Sequence, residues 1–549
     1  MPVKLIEKTP SAYSYPLLIK NLLSTPLTLF PKQQIVYRNL RTYDYTTLAK
    51  RIARLAHLLE KLGVEPGDTV AMMDFDSHRY LECFFAVPML GAILHTINIR
   101  LTPEQILYTI NHAEDKIILI NKEFLPFVEP FKDQIKTVKQ FVVLTDDEQA
   151  FENTITLAGE YEQLLGEAED TYDFPDFDEN AQATVFYTTG TTGEPKGVYF
   201  SHRQLVLHTF GVVTTLNTIK SQCALNSETV YMPLTPMFHV HAWGFPYICT
   251  MIGAKQVYPG KYEPKLILEL IEREKVTFSH CVPTVLHTIL DHPRAKETNL
   301  LGWQIIIGGS TLTSTLCKRG LDQGINLYTG YGMSETCPVL TIANLKTGML
   351  DWEKDRQVAF RRKTGLPLPL VQIQLIDLET GELVPHDGDS LGEVVVRAPW
   401  LTQGYLKNTE SSEMLWQNGW LHTGDIGHID QEGYLQVTDR LKDMIKVSGE
   451  WIASSELEEC ILQHEAVSEV AVVGILSEKW GEKPCAFTVL KEAFKTQIQE
   501  SDLKTFLKEF IKDGKVTRYL MLTDFVIVDA IPKTSVGKID KKVLRITKF

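Results

Sequence analysis

Short apolar runs alternate with longer amphipathic segments through the first 400 residues of the chain. Residues 46–62 and 79–90 have helical patterns, and the apolar run at 69–75 between them is typical of a buried strand. Further strand-like runs, each followed by turn or helix signals, lie at 116–121, 141–145, 276–281 and 303–307. This alternation predicts an α/β fold with several parallel-sheet layers.

The pattern changes near residue 371. Strand-like runs at 371–377, 392–397 and 433–437 are separated by Gly and Asp turns, which predicts a β-rich subdomain over about 371–437. After Asp439, helix-like segments at 455–463 and near 503–511 flank a strand-like run at 467–476.

The expected architecture is therefore a large multi-subdomain N-terminal lobe, residues 1–439, and a small mobile α+β lobe, residues 440–549. The polar junction Asp439-Arg-Leu-Lys-Asp443 is the candidate hinge, although its sequence equally allows a rigid polar turn.

Composition narrows the class of protein. A chain of 549 residues with 44% hydrophobic content can bury large cores and form at least two domains. Its net charge of −14 argues against binding to nucleic acid or to anionic lipid, and no apolar run has the length of a membrane span. The N-terminal residues lack the apolar core of a secretory signal, so the protein is expected to be cytoplasmic. Its eight cysteines are dispersed and form no C-x-x-C pair, so they are expected to be reduced thiols.

One segment has the composition of a phosphate-binding loop. The strand-like run 183–186 leads into Tyr187-Thr-Thr-Gly-Thr-Thr-Gly-Glu-Pro-Lys-Gly-Val198. Glycines let successive N–H groups converge on phosphate oxygens, and the Thr hydroxyls and Lys196 add donors and charge. The P-loop pattern is not met, because Pro195 replaces its second Gly and Gly197 follows Lys196.

This loop resembles the signature loop of the AMP-forming acyl-adenylate synthetases, and seven further segments match that superfamily in the expected order. These segments are Pro236-Met-Phe-His-Val-His-Ala-Trp-Gly244, Ile307-Gly-Gly-Ser310, Tyr328-Thr-Gly-Tyr-Gly-Met-Ser-Glu-Thr336, Trp420-Leu-His-Thr-Gly-Asp425, the 439–443 junction, Ile445-Lys-Val-Ser-Gly-Glu-Trp451 and Ile531-Pro-Lys-Thr-Ser-Val-Gly-Lys-Ile539. The resemblance implies that a fatty acid reacts with Mg-ATP to give acyl-AMP and pyrophosphate. It also implies that a rotation of the small lobe then allows transfer of the acyl group to CoA.

The resemblance also implies the nucleotide contacts. Tyr331 would offer an aromatic face to adenine, Asp425 would bind the ribose with Arg440 as a second contact, and Glu335 with Thr188 would bind Mg²⁺. Lys538, Lys196 and Glu335 are the expected catalytic residues, with Lys442 at the hinge and Lys446 near the adenylate during thioester formation. The complete expected nucleotide set is Thr188, Thr189, Gly190, Thr191, Thr192, Gly193, Lys196, His239, Gly309, Thr329, Gly330, Tyr331, Ser334, Asp425, Arg440, Lys442, Lys446 and Lys538.

The acyl group is expected to lie near segment 236–244. Because this segment contains no acidic residue to pair with an amino group, a fatty chain is favoured over an amino acid. By resemblance, Trp243 occupies the position of the aromatic gate that bacterial long-chain fatty acyl-CoA synthetases have at this place. His241 has no assigned role. The expected acyl contacts are Val240, Trp243, Gly244, Gly308 and Gly309, the glycines leaving room for methylene groups.

The closest likeness is to bacterial medium- and long-chain enzymes, supported by segments 85–98 and 400–405. Such relatives pair through the N-terminal lobe, so a homodimer is expected. Three alternatives stay open: a ligase that loads an acyl carrier protein, a luciferase-like oxygenase, and a nucleotide or fatty-acid sensor that releases no pyrophosphate.

Overall fold

The computed structural model describes residues 3–147, 149–188, 194–218, 224–448, 450–512, 521–533 and 539–546. Four β-sheets with helices packed around them organise these residues into a mixed α/β fold. A large N-terminal part carries three of the sheets and a small C-terminal part carries the fourth, which confirms the predicted fold class.

Sixteen strands of the described chain form the two large sheets. In chain order they are β1 (Gln34–Tyr37), β2 (Arg41–Asp44), β3 (Thr69–Met73), β4 (Ile93–Thr96), β5 (Asp115–Asn121), β6 (Gln140–Leu144), β7 (Leu157–Glu160), β8 (Gln182–Thr188), β9 (Lys196–Ser201), β10 (Val230–Pro233), β11 (Lys255–Tyr258), β12 (Phe278–Cys281), β13 (Gln304–Ile307), β14 (Asn326–Gly332), β15 (Val339–Ile342) and β16 (Leu366–Pro367). The predicted strands at 69–75, 116–121, 141–145, 276–281 and 303–307 are all confirmed.

The seven-stranded sheet has the order β7-β6-β5-β3-β4-β8-β9 and is parallel except for the β8–β9 hairpin. The nine-stranded sheet has the order β16-β15-β14-β13-β12-β10-β11-β1-β2, and its six strands from β14 to β1 run parallel. The largest apolar core takes residues from both sheets, such as Met72 and Leu94 from one and Tyr231 and Phe278 from the other.

Two smaller sheets follow. Strands β17 (Gln372–Ile376), β18 (Gly392–Arg397), β19 (Trp416–Gln417), β20 (Trp420–Ile429) and β21 (Leu435–Arg440) form an antiparallel sheet, as the predicted β-rich subdomain requires. Strands β22 (Ile445–Val447), β23 (Glu450–Ile452), β24 (Val467–Ser477), β25 (Gly481–Leu490) and β26 (Asp524–Ile527) form the last sheet. The last sheet has an apolar core of its own, which includes Val470, Leu503 and Phe525.

Helices cover both large sheets and the C-terminal sheet. They are α1 (Ser24–Leu29), α2 (Tyr45–Lys61), α3 (His78–Met89), α4 (Pro103–Ala113), α5 (Leu125–Val128), α6 (Tyr161–Gly166), α7 (His202–Thr218), the left-handed α8 (Val240–Trp243), α9 (Phe245–Met251), α10 (Pro264–Glu274), α11 (Pro283–Asp291), α12 (Ser314–Asp322), α13 (Lys354–Arg361), α14 (Thr409–Leu415), α15 (Ser454–Ile461), α16 (Glu500–Lys512) and α17 (Lys541–Ile546). Within the described ranges none of them has the length and apolarity that a membrane crossing needs.

Local sequence explains where the predicted helices begin. The Asp44 side chain accepts the Thr47 N–H at the start of α2, and the Ser77 side chain accepts the Tyr80 N–H at the start of α3. Such caps satisfy N–H groups that have no partner within the helix. Helix α3 is buried along its whole length because it packs in the core between the sheets.

Candidate active site

Segment 236–244 ends in a left-handed turn. The φ angles of Val240, His241, Ala242 and Trp243 are 47°, 55°, 48° and 57°, and Gly244 follows at 77°. Left-handed backbone costs about 1–2 kcal/mol for each residue that has a Cβ atom. The surrounding structure must therefore impose this turn.

The seven-stranded sheet anchors the start of the turn. Asp76, just beyond β3, accepts the Met237 N–H at 2.8 Å, and the Thr96 hydroxyl at the end of β4 donates to the Phe238 carbonyl at 2.9 Å. The Tyr262 hydroxyl binds the second Asp76 oxygen at 2.6 Å, and burial raises the pKa of Asp76 to about 7. Asp76 is not among the residues expected from the sequence, although an acidic residue at the carboxyl end of a buried parallel strand is a recognisable signal.

Three buried histidines lie in or beside the turn. His280 packs against Trp243 with ring centroids 4.9 Å apart, and His208 lies against Gly244. His241, within the turn, contacts the rings of neighbouring aromatic residues, and neither of its nitrogens has a hydrogen-bond partner in the described structure. Burial lowers the pKa of each of the three imidazoles to about 3, so all three are neutral near pH 7.

At two of the expected acyl glycines, Gly244 and Gly308, the adjacent space is occupied by the rings of other residues. A Cβ atom on Gly308 would stand 2.8 Å from the Trp243 indole, and one on Gly244 would stand 2.9 Å from the His208 ring. Gly308 also approaches the carbonyl oxygen of Gly330, from which its Cβ would be 2.9 Å. The three segments that carry Trp243, Gly308 and Gly330 therefore meet at one place.

The phosphate-loop hairpin contacts the segment that carries Glu335. Thr188 at the end of β8 pairs with Lys196 at the start of β9, and the Thr188 hydroxyl lies 3.5 Å from the Lys196 carbonyl oxygen. The Lys196 ammonium lies over the Tyr405 ring, 4.8 Å from its centroid, and the Tyr405 hydroxyl donates to Glu335 Oε1 at 2.7 Å. Tyr405, which lies in segment 400–405, is not among the expected site residues, yet it contacts both Lys196 and Glu335.

A second polar cluster is formed by Tyr331 and Asp425. The Tyr331 hydroxyl donates to Asp425 Oδ2 at 2.6 Å, and Arg440 Nε lies 3.4 Å from Asp425 Oδ1. Burial and the Asp425 carboxylate raise the pKa of Tyr331, so its phenol stays protonated. Nearby on β14, the buried Thr329 hydroxyl has no hydrogen-bond partner within the described chain, which suits a contact with a bound ligand.

Comparison with known proteins assigns this site to a family. The family described as "AMP-binding enzyme" matches residues 27–406, and "AMP-binding enzyme C-terminal domain" matches residues 456–538. The chain belongs to the AMP-binding enzyme family. As a member it is an adenylate-forming acid–thiol ligase.

Relatives within the AMP-binding enzyme family cover nearly the whole chain. The chain is 40% identical to the long-chain-fatty-acid–CoA ligase of Thermus thermophilus, over 94% of this chain and 93% of the relative. It is 34% identical to the medium-chain-fatty-acid–CoA ligase of Ectopseudomonas oleovorans, over 90% of this chain and 88% of the relative. The crystal structure of ATP-bound MatB from Rhodopseudomonas palustris has the same fold, with a TM-score of 0.81 and 24% sequence identity. The match covers 97% of this chain and 98% of MatB.

The C-terminal part of this AMP-binding enzyme touches the N-terminal part through several polar contacts. Arg362 binds Glu459 at 2.6 Å, and Asp439 accepts the Ser454 N–H at 2.6 Å. The Lys446 ammonium lies 4.8 Å from the Trp451 ring centroid and 3.8 Å from Glu379. Burial, followed by the charge of Arg440, lowers the pKa of Lys442.

The structure brings together only part of the expected site. His239 precedes the left-handed turn, Gly309 follows β13 with φ of 79°, and Ser334 begins a short 3₁₀ turn with Glu335. Six expected residues lie outside the described residues: Thr189, Gly190, Thr191, Thr192, Gly193 and Lys538.

The donor set of this enzyme suits a hard cation. Glu335 is buried and binds Tyr405 through one of its two carboxylate oxygens, and Thr188 supplies a hydroxyl. Magnesium bound to phosphate typically takes one or two protein oxygens, the rest coming from phosphates and water. The described residues contain no cluster of three or more His, Cys, Asp or Glu that could hold a metal ion.

Proposed function

We propose that this ligase is a fatty acyl-CoA synthetase for medium- or long-chain acids. It would convert a fatty acid and Mg-ATP to acyl-AMP and pyrophosphate, and then transfer the acyl group from acyl-AMP to the CoA thiol with release of AMP. The observation that carries the proposal is that Lys196 and Glu335 both contact Tyr405, while Tyr331, four residues before Glu335, donates to Asp425. Its similarity to two fatty-acid–CoA ligases over most of their lengths supports the choice of acid.

The first half-reaction brings a carboxylate to the α-phosphorus of ATP, so charge repulsion is the main obstacle. Lys196 and Lys538 would counter the negative charge of the phosphates, and the amides and hydroxyls of 188–197 would donate to the oxygens that gain charge. Glu335 and Thr188 would hold Mg²⁺, which neutralises phosphate charge when bound. Asp425 and Tyr331 would hold the nucleoside so that the α-phosphate meets the acid in line.

The second half-reaction needs access for a thiol. We propose that the chain divides into residues 1–439 and 440–549 and that the small lobe rotates near Lys442. This rotation would move Lys538 out of the active site and bring the 445–451 segment into it. One site would then serve both reactions through a lobe movement. The proposal extends to a cytoplasmic homodimer that pairs through its N-terminal lobe.

The experiment that tests the function is pyrophosphate release from Mg-ATP with acetate, octanoate, palmitate, cinnamate and amino acids, each with and without CoA. A maximum at octanoate or longer that turns over only with CoA is the expected result. A single burst that CoA cannot sustain would indicate loading of a carrier protein. The absence of pyrophosphate release with every acid would contradict the proposed substrate class.

Replacing Trp243 with alanine is expected to change the preferred acid. The indole covers Gly308 and is 7% exposed, so its loss leaves a space beside the turn. We expect the ratio of kcat/KM for palmitate to that for octanoate to change about tenfold, the equivalent of one or two buried methylene groups. The KM for ATP should change less than about threefold, because Trp243 is proposed to contact only the acyl group.

Trp243→Phe is the matched control, because it keeps an aromatic ring on Gly308 and should preserve most of the wild-type preference. A parallel loss of ATP affinity in Trp243→Ala would instead make Trp243 part of the general core.

Asp425→Asn is expected to raise the KM for ATP about tenfold or more, since hydrogen bonds to a charged group contribute roughly 1.5–3 kcal/mol. The amide can still accept from Tyr331, but it loses the charge that faces Arg440. The KM for the fatty acid should stay within about twofold. Steady-state kinetics with each substrate varied in turn make the measurement.

Asp430→Asn serves as its control. Asp430 lies directly after β20 and pairs with Lys363, so its loss affects the same β-hairpin without touching Tyr331. An equal rise in the KM for ATP in both variants would mean that Asp425 only stabilises the hairpin.

A further inference from the structure

Tyr405 is attached to two segments of the proposed site by its backbone neighbours. It forms a β-bridge with Val198 on β9, and the Leu406 N–H donates to the Gly197 carbonyl at 2.8 Å. The Thr402 N–H, three residues earlier, donates to the Glu335 carbonyl at 2.9 Å. The loop at 402–406 therefore holds the phosphate-loop hairpin against the Glu335 segment.

The Tyr405 side chain lies between two opposite charges. Its hydroxyl donates to Glu335 Oε1 at 2.7 Å, and its ring face receives the Lys196 ammonium at 4.8 Å from the centroid. Glu335 is 8% exposed, so its carboxylate is largely withdrawn from water. Among the described residues no carboxylate oxygen lies within 4.0 Å of the Lys196 ammonium, although Glu335 binds the hydroxyl of the same phenol ring.

A lysine and a buried carboxylate this close would ordinarily pair, because their attraction is poorly screened away from water. Pairing would occupy the ammonium that the phosphates need and the carboxylate that the metal needs. A phenol avoids this outcome: its face attracts a cation and its hydroxyl donates to an anion. The hydroxyl also occupies one Glu335 oxygen and leaves the other for a metal ion.

We propose that Tyr405 is a positioning residue that keeps Lys196 and Glu335 apart, so that the first is available to phosphate and the second to Mg²⁺. This inference rests on the proposed ATP-dependent function and adds to it a residue that acts through two others. The two parts of the Tyr405 side chain have different roles. The hydroxyl orients Glu335, whereas the ring holds Lys196.

Calorimetric titration with ATP, in excess EDTA and again in Mg²⁺, tests the proposal without requiring turnover. Tyr405→Phe keeps the ring, so its affinity for metal-free ATP should stay within about twofold, while the Mg²⁺ concentration for half-maximal ATP binding should rise about tenfold. Tyr405→Leu removes ring and hydroxyl, and its affinity for metal-free ATP should also fall about tenfold as Lys196 pairs with Glu335.

A double variant distinguishes this mechanism from simple loss of packing. Adding Glu335→Gln to Tyr405→Leu removes the charge that captures Lys196, and should restore affinity for metal-free ATP to within about threefold of wild type. Tyr199→Phe, which removes a phenol hydroxyl from the same strand as Lys196, should leave both titrations unchanged.

An unchanged Mg²⁺ requirement in Tyr405→Phe would overturn the proposal, as would a Tyr405→Leu defect that Glu335→Gln does not relieve. If Tyr405→Leu fails to fold, the Mg²⁺ titration of Tyr405→Phe decides alone. Failure of the proposed function would look different, since wild type would then bind Mg-ATP but release no pyrophosphate with any fatty acid.

Discussion

Lys538→Ala is expected to lower acid-dependent pyrophosphate release at least about 100-fold, the usual cost of removing one strong contact to the charge of a transition state. Thioester formation from supplied acyl-AMP and CoA should fall less than about fivefold, because Lys538 is proposed to enter the site in only one lobe orientation. Separate assays of the two half-reactions, by pyrophosphate release and by acyl-CoA formation, make the measurement.

The helix that follows Lys538 in sequence contacts the proposed hinge. Arg545 in α17 donates to the Lys442 carbonyl at 3.0 Å and binds Asp443 at 2.6 Å, so the terminal helix is attached to the proposed hinge. Lys542→Ala removes a charge from the same helix and is the matched control, with both half-reactions expected to be near wild type. Equal losses of both half-reactions in Lys538→Ala would contradict the assignment of this lysine to adenylation alone.

Acidification from pH 7.5 to 5 is expected to lower the free energy of unfolding by about 6 kcal/mol through His208, His241 and His280 alone, about 2 kcal/mol each. Burial lowers their pKa to about 3 in the folded protein, whereas the unfolded value is about 6.5. Below pH 6.5 the unfolded chain therefore binds protons that the folded chain cannot. The contribution of these three histidines to the free energy of unfolding is fully present above pH 6.5 and is lost as the pH falls towards 3. Urea denaturation at a series of pH values measures the effect.

His241→Phe isolates one third of this loss. The imidazole has no hydrogen-bond partner in the described chain and lies among aromatic rings, so phenylalanine removes the titrating group without leaving a donor or acceptor unpaired. The variant should lose about 2 kcal/mol less than wild type between pH 7.5 and 5. His386→Gln, at an exposed position, is the control and should follow wild type. The same pH dependence in His241→Phe and wild type would show that His241 does not resist protonation.

The fold was predictable because its local signals agree with its long-range pairing. The apolar run at 69–75 and the helical pattern at 79–90 became β3 and α3, and the Gly/Asp-punctuated runs after residue 371 became an antiparallel sheet. Consistency of this kind between local preference and global packing is typical of natural sequences. The residue-by-residue roles and the domain boundary near Asp439 stay predictions.

Two features of the site could not be predicted from local sequence. Tyr405 meets Val198 across more than two hundred positions of chain, and no pattern near either residue indicates that pairing. The left-handed turn has the residues Val-His-Ala-Trp, none of which is the glycine that usually adopts positive φ, so four such angles in succession could not be predicted from the sequence. Asp76 and Thr96, which anchor the turn, come from a different sheet and are distant in sequence.

The left-handed turn also affects how this enzyme can diversify. Its shape depends on anchors in another sheet, and few side chains tolerate its backbone, so most substitutions within it would disturb the site as a whole. The surfaces that face the turn, on α7 and β12, have ordinary backbone geometry and can exchange side chains at lower cost. A lineage that acquires a new acid specificity is therefore expected to accumulate its changes on these facing surfaces while the turn itself stays nearly fixed.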